Sequence, residues 1–170
     1  GAALTPEPAA AKGFVLERSF YTLDGTPVDL TRADGQAATL KQNERLVVVL
    51  RFKGDHPGGR LMVTDRLPAG LQIENPRLID SGNVAALPWL KTKIRPRHTQ
   101  FRDDRFLAAF DLFKAPRGAG GTGPDVTVAY MVRAVTPGTY VHPAATVEDM
   151  YRPERFARTV AGRLIVEPAR

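Results

Sequence analysis

Apolar and polar positions in this chain change places over short distances, and most of the runs they define have the two-residue period of strands. Phe14 to Leu23 leads into Asp24-Gly25 and resumes at Thr26 to Thr31, a hairpin signal because both turn residues can take positive φ. Leu46 to Phe52 (LVVVLRF) is apolar on both faces for most of its length, which suits a strand at the centre of a packed sandwich. Arg60 to Asp65 reads as a strand after the loop Gly54 to Gly59, and Leu67-Pro68-Ala69-Gly70 turns the chain before Leu71-Gln72-Ile73 extends again. Asn75-Pro76 marks another break, and a short helical turn fits Ala85 to Leu90.

Within Arg105 to Phe113, Phe106, Ala108, Phe110 and Leu112 alternate as in a strand, while Phe106, Ala109, Phe110 and Phe113 fit helical spacing. The short length and the Pro/Gly-rich surroundings favour the strand. Val126, Val128, Tyr130, Val132 and Ala134 share one face of the run Asp125 to Val135, and Gly162 to Glu167 supplies a last short strand. Seven or more short strands with frequent turns predict an all-β, immunoglobulin-like antiparallel β-sandwich with at most short helical turns. Its inner faces would hold Val48, Leu50, Met62, Phe106, Phe110, Val128, Tyr130 and Val132. Residues 1–13 read as a linker or the cut end of a longer protein, with no basic and apolar leader pattern, and 14–170 as one domain.

Composition narrows the chemistry. A chain of 170 residues can bury a real core without staples, and the absence of cysteine excludes disulfides, zinc-thiolate sites and thiol nucleophiles made within it. No apolar run approaches the ~20 residues of a membrane span, so no direct membrane insertion by this chain is expected. The net charge of +6 invites a nucleic-acid role, but the basic residues are scattered as Arg18, Arg32, Arg51, Arg66, Arg77 and Arg133, mostly at polar positions of strand-like runs. The densest patch, Lys91, Lys93, Arg95, Arg97 and His98, suits a solvated loop or protein contact better, so no nucleic acid is expected as a partner.

Catalytic arrangements are hard to assemble. Gly118, Gly120 and Gly123 form a GxGxxG, yet Pro124 and a strand-like run follow instead of the helix a dinucleotide site requires. Ser19 and Ser81 lack a nucleophile-elbow context, and His56, His98 and His142 fall in separate loops without metal-ligand spacing. Asp103-Asp104, between Arg102 and Arg105, suits local ion pairs better than a shared-proton pair, because neighbouring strand residues face opposite ways. The expectation is a non-catalytic module without cofactor or metal. Trp89, the single tryptophan, reads as a core plug under a long loop, with an aromatic anchor at a domain contact as the alternative.

The segment Thr136 to Arg158 keeps more distinctive side-chain chemistry than a connector needs. Two accounts of its end stand side by side. In one, Asp149 caps a turn and Pro153 starts a short helix over Glu154 to Arg158. In the other, Met150 and Tyr151 project as an apolar pair rimmed by Glu148, Asp149 and Arg152, a composition suited to docking.

Six segments taken in order carry a resemblance: FYTLDGTPVDL (20–30), LVVVLRF (46–52), VTDRLPAGLQIENPRL (63–78), FRDDRFLAAFDL (101–112), YMVRAVTPGTYVHPAATVEDMYRPE (130–154) and GRLIV (162–166). Together they resemble the C-terminal macroglobulin-like domain (MG10-type) of bacterial alpha-2-macroglobulins, and VEDMYRPE is the most specific block. The resemblance implies a module of a large periplasmic protease-trapping inhibitor, tethered to the inner membrane by an N-terminal lipid outside this chain. It implies as partners the thioester domain and neighbouring macroglobulin domains of the same polypeptide, with target proteases for the whole protein. Glu148, Asp149, Met150, Tyr151 and Arg152 would then form the contact that shields the thioester from water, and Trp89 would be a secondary interface candidate. The Cys-Leu-Glu-Gln motif of the thioester, the bait region and the lipid-bearing cysteine are not in this sequence, so covalent capture would need the rest of the parent. An immunoglobulin-like adhesive or carbohydrate-binding domain, using Trp89 and the basic loop 91–98, is the alternative.

Overall fold

Strand β5 (Arg45–Gly54) is the axis of the molecule, paired along nearly its whole length with β2 (Phe14–Tyr21) on one side and β10 (Asp125–Ala134) on the other. This computed structural model describes residues 9–30, 35–56, 59–74, 89, 98–102, 104–111 and 123–170. Adding β3 (Pro27–Val28) and β7 (Leu71–Ile73) completes a five-stranded sheet in the order β3-β2-β5-β10-β7. Facing it is a six-stranded sheet, β1 (Ala10–Lys12), β13 (Phe156–Arg158), β12 (Ala145–Asp149), β6 (Arg60–Arg66), β9 (Arg105–Asp111) and β8 (His98–Arg102), in that spatial order. A third sheet of three strands runs β11 (Gly138–His142), β14 (Gly162–Glu167), β4 (Ala38–Lys41).

The described residues contain fourteen strands and no helix. The architecture is thus an all-β sandwich; among the described residues β14 and β4 pair in parallel, Leu164 opposite Ala38 through Glu167 opposite Lys41, and an isolated parallel bridge joins Gly13 to Phe156. Ala38, Leu40, Leu164 and Val166 contribute to the same apolar core as the two large sheets.

Strand parity explains the core. Leu46, Val48, Leu50 and Phe52 of β5 and Val126, Val128, Tyr130, Val132 and Ala134 of β10 face inward, and the six-stranded sheet answers with Leu61, Val63, Phe106, Ala108, Phe110, Ala145 and Val147. Phe52 meets Phe110 edge-on at 5.3 Å, and Phe106 stacks on Tyr130 at 4.7 Å. Met62, expected inside, is only half-buried, because the inward set of β6 is Leu61, Val63 and Asp65. The run Leu46 to Phe52 is apolar on both faces for a structural reason: Val47, Ala129 and Met131 form a second buried cluster on the reverse of the sheet, packed by Leu23, Val49 and Trp89.

Two boundaries move. Ala10–Lys12, assigned to a linker by sequence, pair with Phe156–Arg158 as the edge of the six-stranded sheet. At the first hairpin only Gly25 takes positive φ (94°), because the loop is wider than a two-residue turn, closed by Thr22 N–H to Thr26 O at 2.8 Å. The helical turn suggested over Ala85 to Leu90 and the basic patch Lys91 to Arg97 lie outside the described residues, apart from Trp89.

Candidate functional site

Strand β12 ends at Asp149, and the chain returns as β13 from Phe156, so residues 150–155 form the connection between two adjacent strands. Along β12 Ala145, Val147 and Asp149 face inward, while Glu148 is exposed. Asp149 is only 3% exposed, so it supports the turn from beneath and offers no surface to a partner, unlike the rim position expected for it. Its Oδ1 accepts the backbone N–H groups of Tyr151 (2.9 Å) and Arg152 (3.1 Å), the cap foreseen in the simpler of the two accounts. Backbone bonds close the turn further: Asp149 N–H to Arg155 O, Arg155 N–H to Arg152 O, and Met150 N–H to Arg60 O at 2.8 Å. No helix starts at Pro153, because Phe156–Arg158 are already committed to the ladder with β12 and β1.

On this base Met150 (53% exposed) and Tyr151 (69%) stand in solvent, with Arg152, Pro153 and Glu154 exposed beside them. An adaptable thioether next to a rigid phenol, carried by a turn whose backbone is already bonded, can bury apolar area against a partner with little further ordering.

Arg155 underlies the turn. Its guanidinium gives Nη1 to Asp149 Oδ2 (3.4 Å) and Nη2 to Asp55 Oδ1 (2.7 Å) in the loop after β5, and it lies over the Phe14 ring at 4.8 Å. Asp55 is shared with the His56 ring, and these two partners hold its carboxyl below the usual range, His56 contributing most.

The other residues singled out by sequence are scattered. Trp89 donates its indole N–H to Leu23 O (2.9 Å), packs on Tyr21 at 5.0 Å and covers the second apolar cluster. Asp104 forms an ion pair with its neighbour Arg105 (2.9 Å), as its flanking charges suggest, whereas Asp103 lies outside the described residues. Of the glycine motif only Gly123 is described; a Cβ there would sit 2.0 Å from Gly54 O, so this glycine allows close backbone approach. The histidines are not all in loops: His142 ends β11 and is buried against Phe20 at 5.4 Å, and His98 begins β8. No group of three or more His, Cys, Asp or Glu side chains suited to a metal ion occurs among the described residues.

Sequence reasoning missed a polar cluster sealed between the sheets. Arg18 Nη1 donates to Asp65 Oδ1 (2.6 Å) and to Pro143 O (2.8 Å), and the Tyr130 hydroxyl donates to Asp65 Oδ2 (2.5 Å). Burial, reinforced by the Asp65 charge, pushes the Tyr130 phenol well above its ordinary value, so it remains a donor. Burial first, and the Arg18 charge second, lower the His142 imidazole to about 3, so it is neutral. Parity was the available signal: Arg18 shares its face with Phe14, Leu16 and Phe20, and Asp65 with Leu61 and Val63. This buried acid–phenol–guanidinium group bridges the two sheets, Arg18 on β2 and Tyr130 on β10 meeting Asp65 on β6.

Fold and site together define a macroglobulin-type β-sandwich domain with an exposed, internally braced turn. Residues 13–154 match the family model described as the bacterial alpha-2-macroglobulin MG10 domain, and the chain belongs to that family. It is 36% identical over 143 residues to an alpha-2-macroglobulin of Xylella fastidiosa, covering 80% of this chain and 8% of that protein. The alpha-2-macroglobulin of Escherichia coli K12 is 35% identical over 159 residues, 89% of this chain and 9% of that protein. Among solved structures, a native E. coli fragment running from domain MG7 to the C-terminus aligns with TM-score 0.74 and 31% identity, covering 98% of this chain and 25% of that one. Salmonella alpha-2-macroglobulin reacted with methylamine aligns with TM-score 0.76 and 31% identity over 99% of this chain and 10% of that one. The chain therefore spans under a tenth of the length of these two curated relatives.

Proposed function

We propose that this domain is a non-catalytic docking module of a longer protease-trapping inhibitor, seated on the thioester domain of its own polypeptide through the Met150–Tyr151 tip. The carrying observation is that this tip is the exposed crest of a turn braced from below by Asp149 and Arg155. Seated there, the phenol and thioether would exclude water from a reactive acyl group, whose lifetime depends on that exclusion. Relatives support the role: one solved Salmonella protein was reacted with methylamine, an amine nucleophile, and E. coli proteins were activated by porcine elastase and by trypsin. Glu148 and Arg152 form the polar rim. By the same family logic the parent works in the periplasm, held to the inner membrane by an N-terminal lipid, and meets target proteases through its other domains.

The test mixes this domain with the thioester-bearing remainder of its parent and measures association and methylamine consumption. Met150→Ala and Tyr151→Ala are each expected to weaken association by about tenfold, as hot-spot truncations do, and to speed the amine reaction. Unchanged association and an unchanged rate in both variants would refute the docking role.

A further inference from the structure

We infer that Arg155 is a positioning residue for the Met150–Tyr151 tip, acting as a clamp whose far anchor is Asp55 in the loop after β5. Its functional part rests on the docking role just proposed; the clamp itself stands on geometry alone. One guanidinium bridges two carboxylates 94 positions apart in sequence (149 less 55), with Asp149 at 3.4 Å and Asp55 at 2.7 Å.

The Arg155–Asp149 end of the clamp is closely packed, whereas its Asp55 anchor is open to solvent. Gly13 takes φ +86°, and a Cβ there would lie 2.9 Å from Arg155 Nε, so a larger residue would displace the guanidinium. Gly59 takes φ +104°, and a Cβ there would lie 3.3 Å from Asp149 Oδ2, the oxygen that Arg155 holds. The Phe14 ring supports the guanidinium face. The two oxygens of Asp149 thus serve different ends, since Oδ1 organises the turn backbone and Oδ2 is oriented by Arg155. Releasing Oδ2 lets the carboxylate rotate, and the Tyr151 and Arg152 amides lose a fixed acceptor. The tip is then presented in several geometries, and ordering it again on docking lowers affinity. The planar fork is needed because a single ammonium cannot serve both carboxylates with the same rigidity.

The experiment compares Arg155→Met, Arg155→Lys and Asp55→Asn in this chain, reading hydrogen exchange at the Tyr151 and Arg152 amides with β10 amides as the control. Arg155→Met should accelerate exchange at the two turn amides about tenfold while β10 stays unchanged, Arg155→Lys should restore part of the protection, and Asp55→Asn should loosen the turn about threefold. Because Asp55 is largely exposed, its variant keeps the measurement informative if Arg155→Met does not fold. Turn exchange that is unchanged, or that rises only in step with β10, would overturn the clamp. The same variants are then tested for association with the thioester-bearing remainder. A loosened turn with weakened association supports the positioning role; a loosened turn with unchanged association, where Met150→Ala does weaken it, overturns that role and leaves docking standing. If neither Met150→Ala nor Arg155→Met affects association while the turn loosens, the docking role fails and the clamp survives.

Discussion

The Arg18 guanidinium lies 2.6 Å from the Asp65 carboxylate with both side chains 2% exposed, so a charge pair deep in the core ties β2 of one sheet to β6 of the other. Such a pair contributes little net stability compared with apolar packing, yet losing one partner leaves the other charge stranded. Asp65→Ala is therefore expected to cost about 3–5 kcal/mol, read from urea denaturation at neutral pH. Replacing the set together, Arg18→Met with Asp65→Leu and Tyr130→Phe, should recover most of that loss. A concerted variant as unstable as Asp65→Ala would show that the cluster specifies the sheet packing.

His142 gives the domain a pH dependence of known sign. The folded imidazole titrates near 3 against an ordinary 6.5, so below 6.5 the unfolded chain binds a proton that the folded chain refuses. Stability is unaffected by this group above pH 6.5 and falls as pH drops from there toward 3, by at most about 1.4 kcal/mol per pH unit. Asp24, Asp55 and Asp104 are held below their ordinary 3.8, and their contributions are lost only as pH falls through and below that value. Melting curves between about pH 5 and 6.5 test this, and His142→Gln should flatten the slope there.

Gly123 and Gly162 make a paired test of backbone approach. At Gly123 a Cβ would sit 2.0 Å from the Gly54 carbonyl oxygen, and at Gly162 it would meet nothing within 4 Å. Gly123→Ala should destabilise by about 3 kcal/mol or more, since backbone must move, whereas Gly162→Ala should stay within about 0.5 kcal/mol. Thermal melts of the two variants are sufficient.

Trp89 covers Val47, Ala129 and Met131 on the reverse of the five-stranded sheet. Trp89→Ala should cost about 2 kcal/mol by uncovering that cluster, and Trp89→Phe should cost less while losing the bond to Leu23 O. Denaturant midpoints measure both, and the lone indole of these 170 residues serves as the fluorescence probe in the unsubstituted domain.

Met150→Ala and Tyr151→Ala should leave the melting temperature of the isolated domain almost unchanged, within about 0.5 kcal/mol, because both side chains stand in solvent. A large loss of stability in either would mean that the tip packs against its own domain.

Alternation placed β10, a continuous apolar run placed β5, and short length with Pro/Gly-rich flanks decided β9, because a strand buried on one face writes a two-residue period and one buried on both writes a continuous apolar run. At Met150–Tyr151 the residues themselves left two accounts open, plain surface or a projecting apolar pair, and the structure adds that both side chains are exposed. Parity also marks Arg18 and Asp65, whose positions continue apolar faces; polarity there reads as exposure, and their mutual neutralisation is invisible until the sheets face each other. Tertiary structure alone decided the parallel pairing of β4 with β14 and the meeting of Asp55, Asp149 and Arg155. Local sequence dictates period, turn and side, since these depend on neighbours along the chain. Which distant charges share a guanidinium depends on how the strands close in space, and no local pattern encodes that.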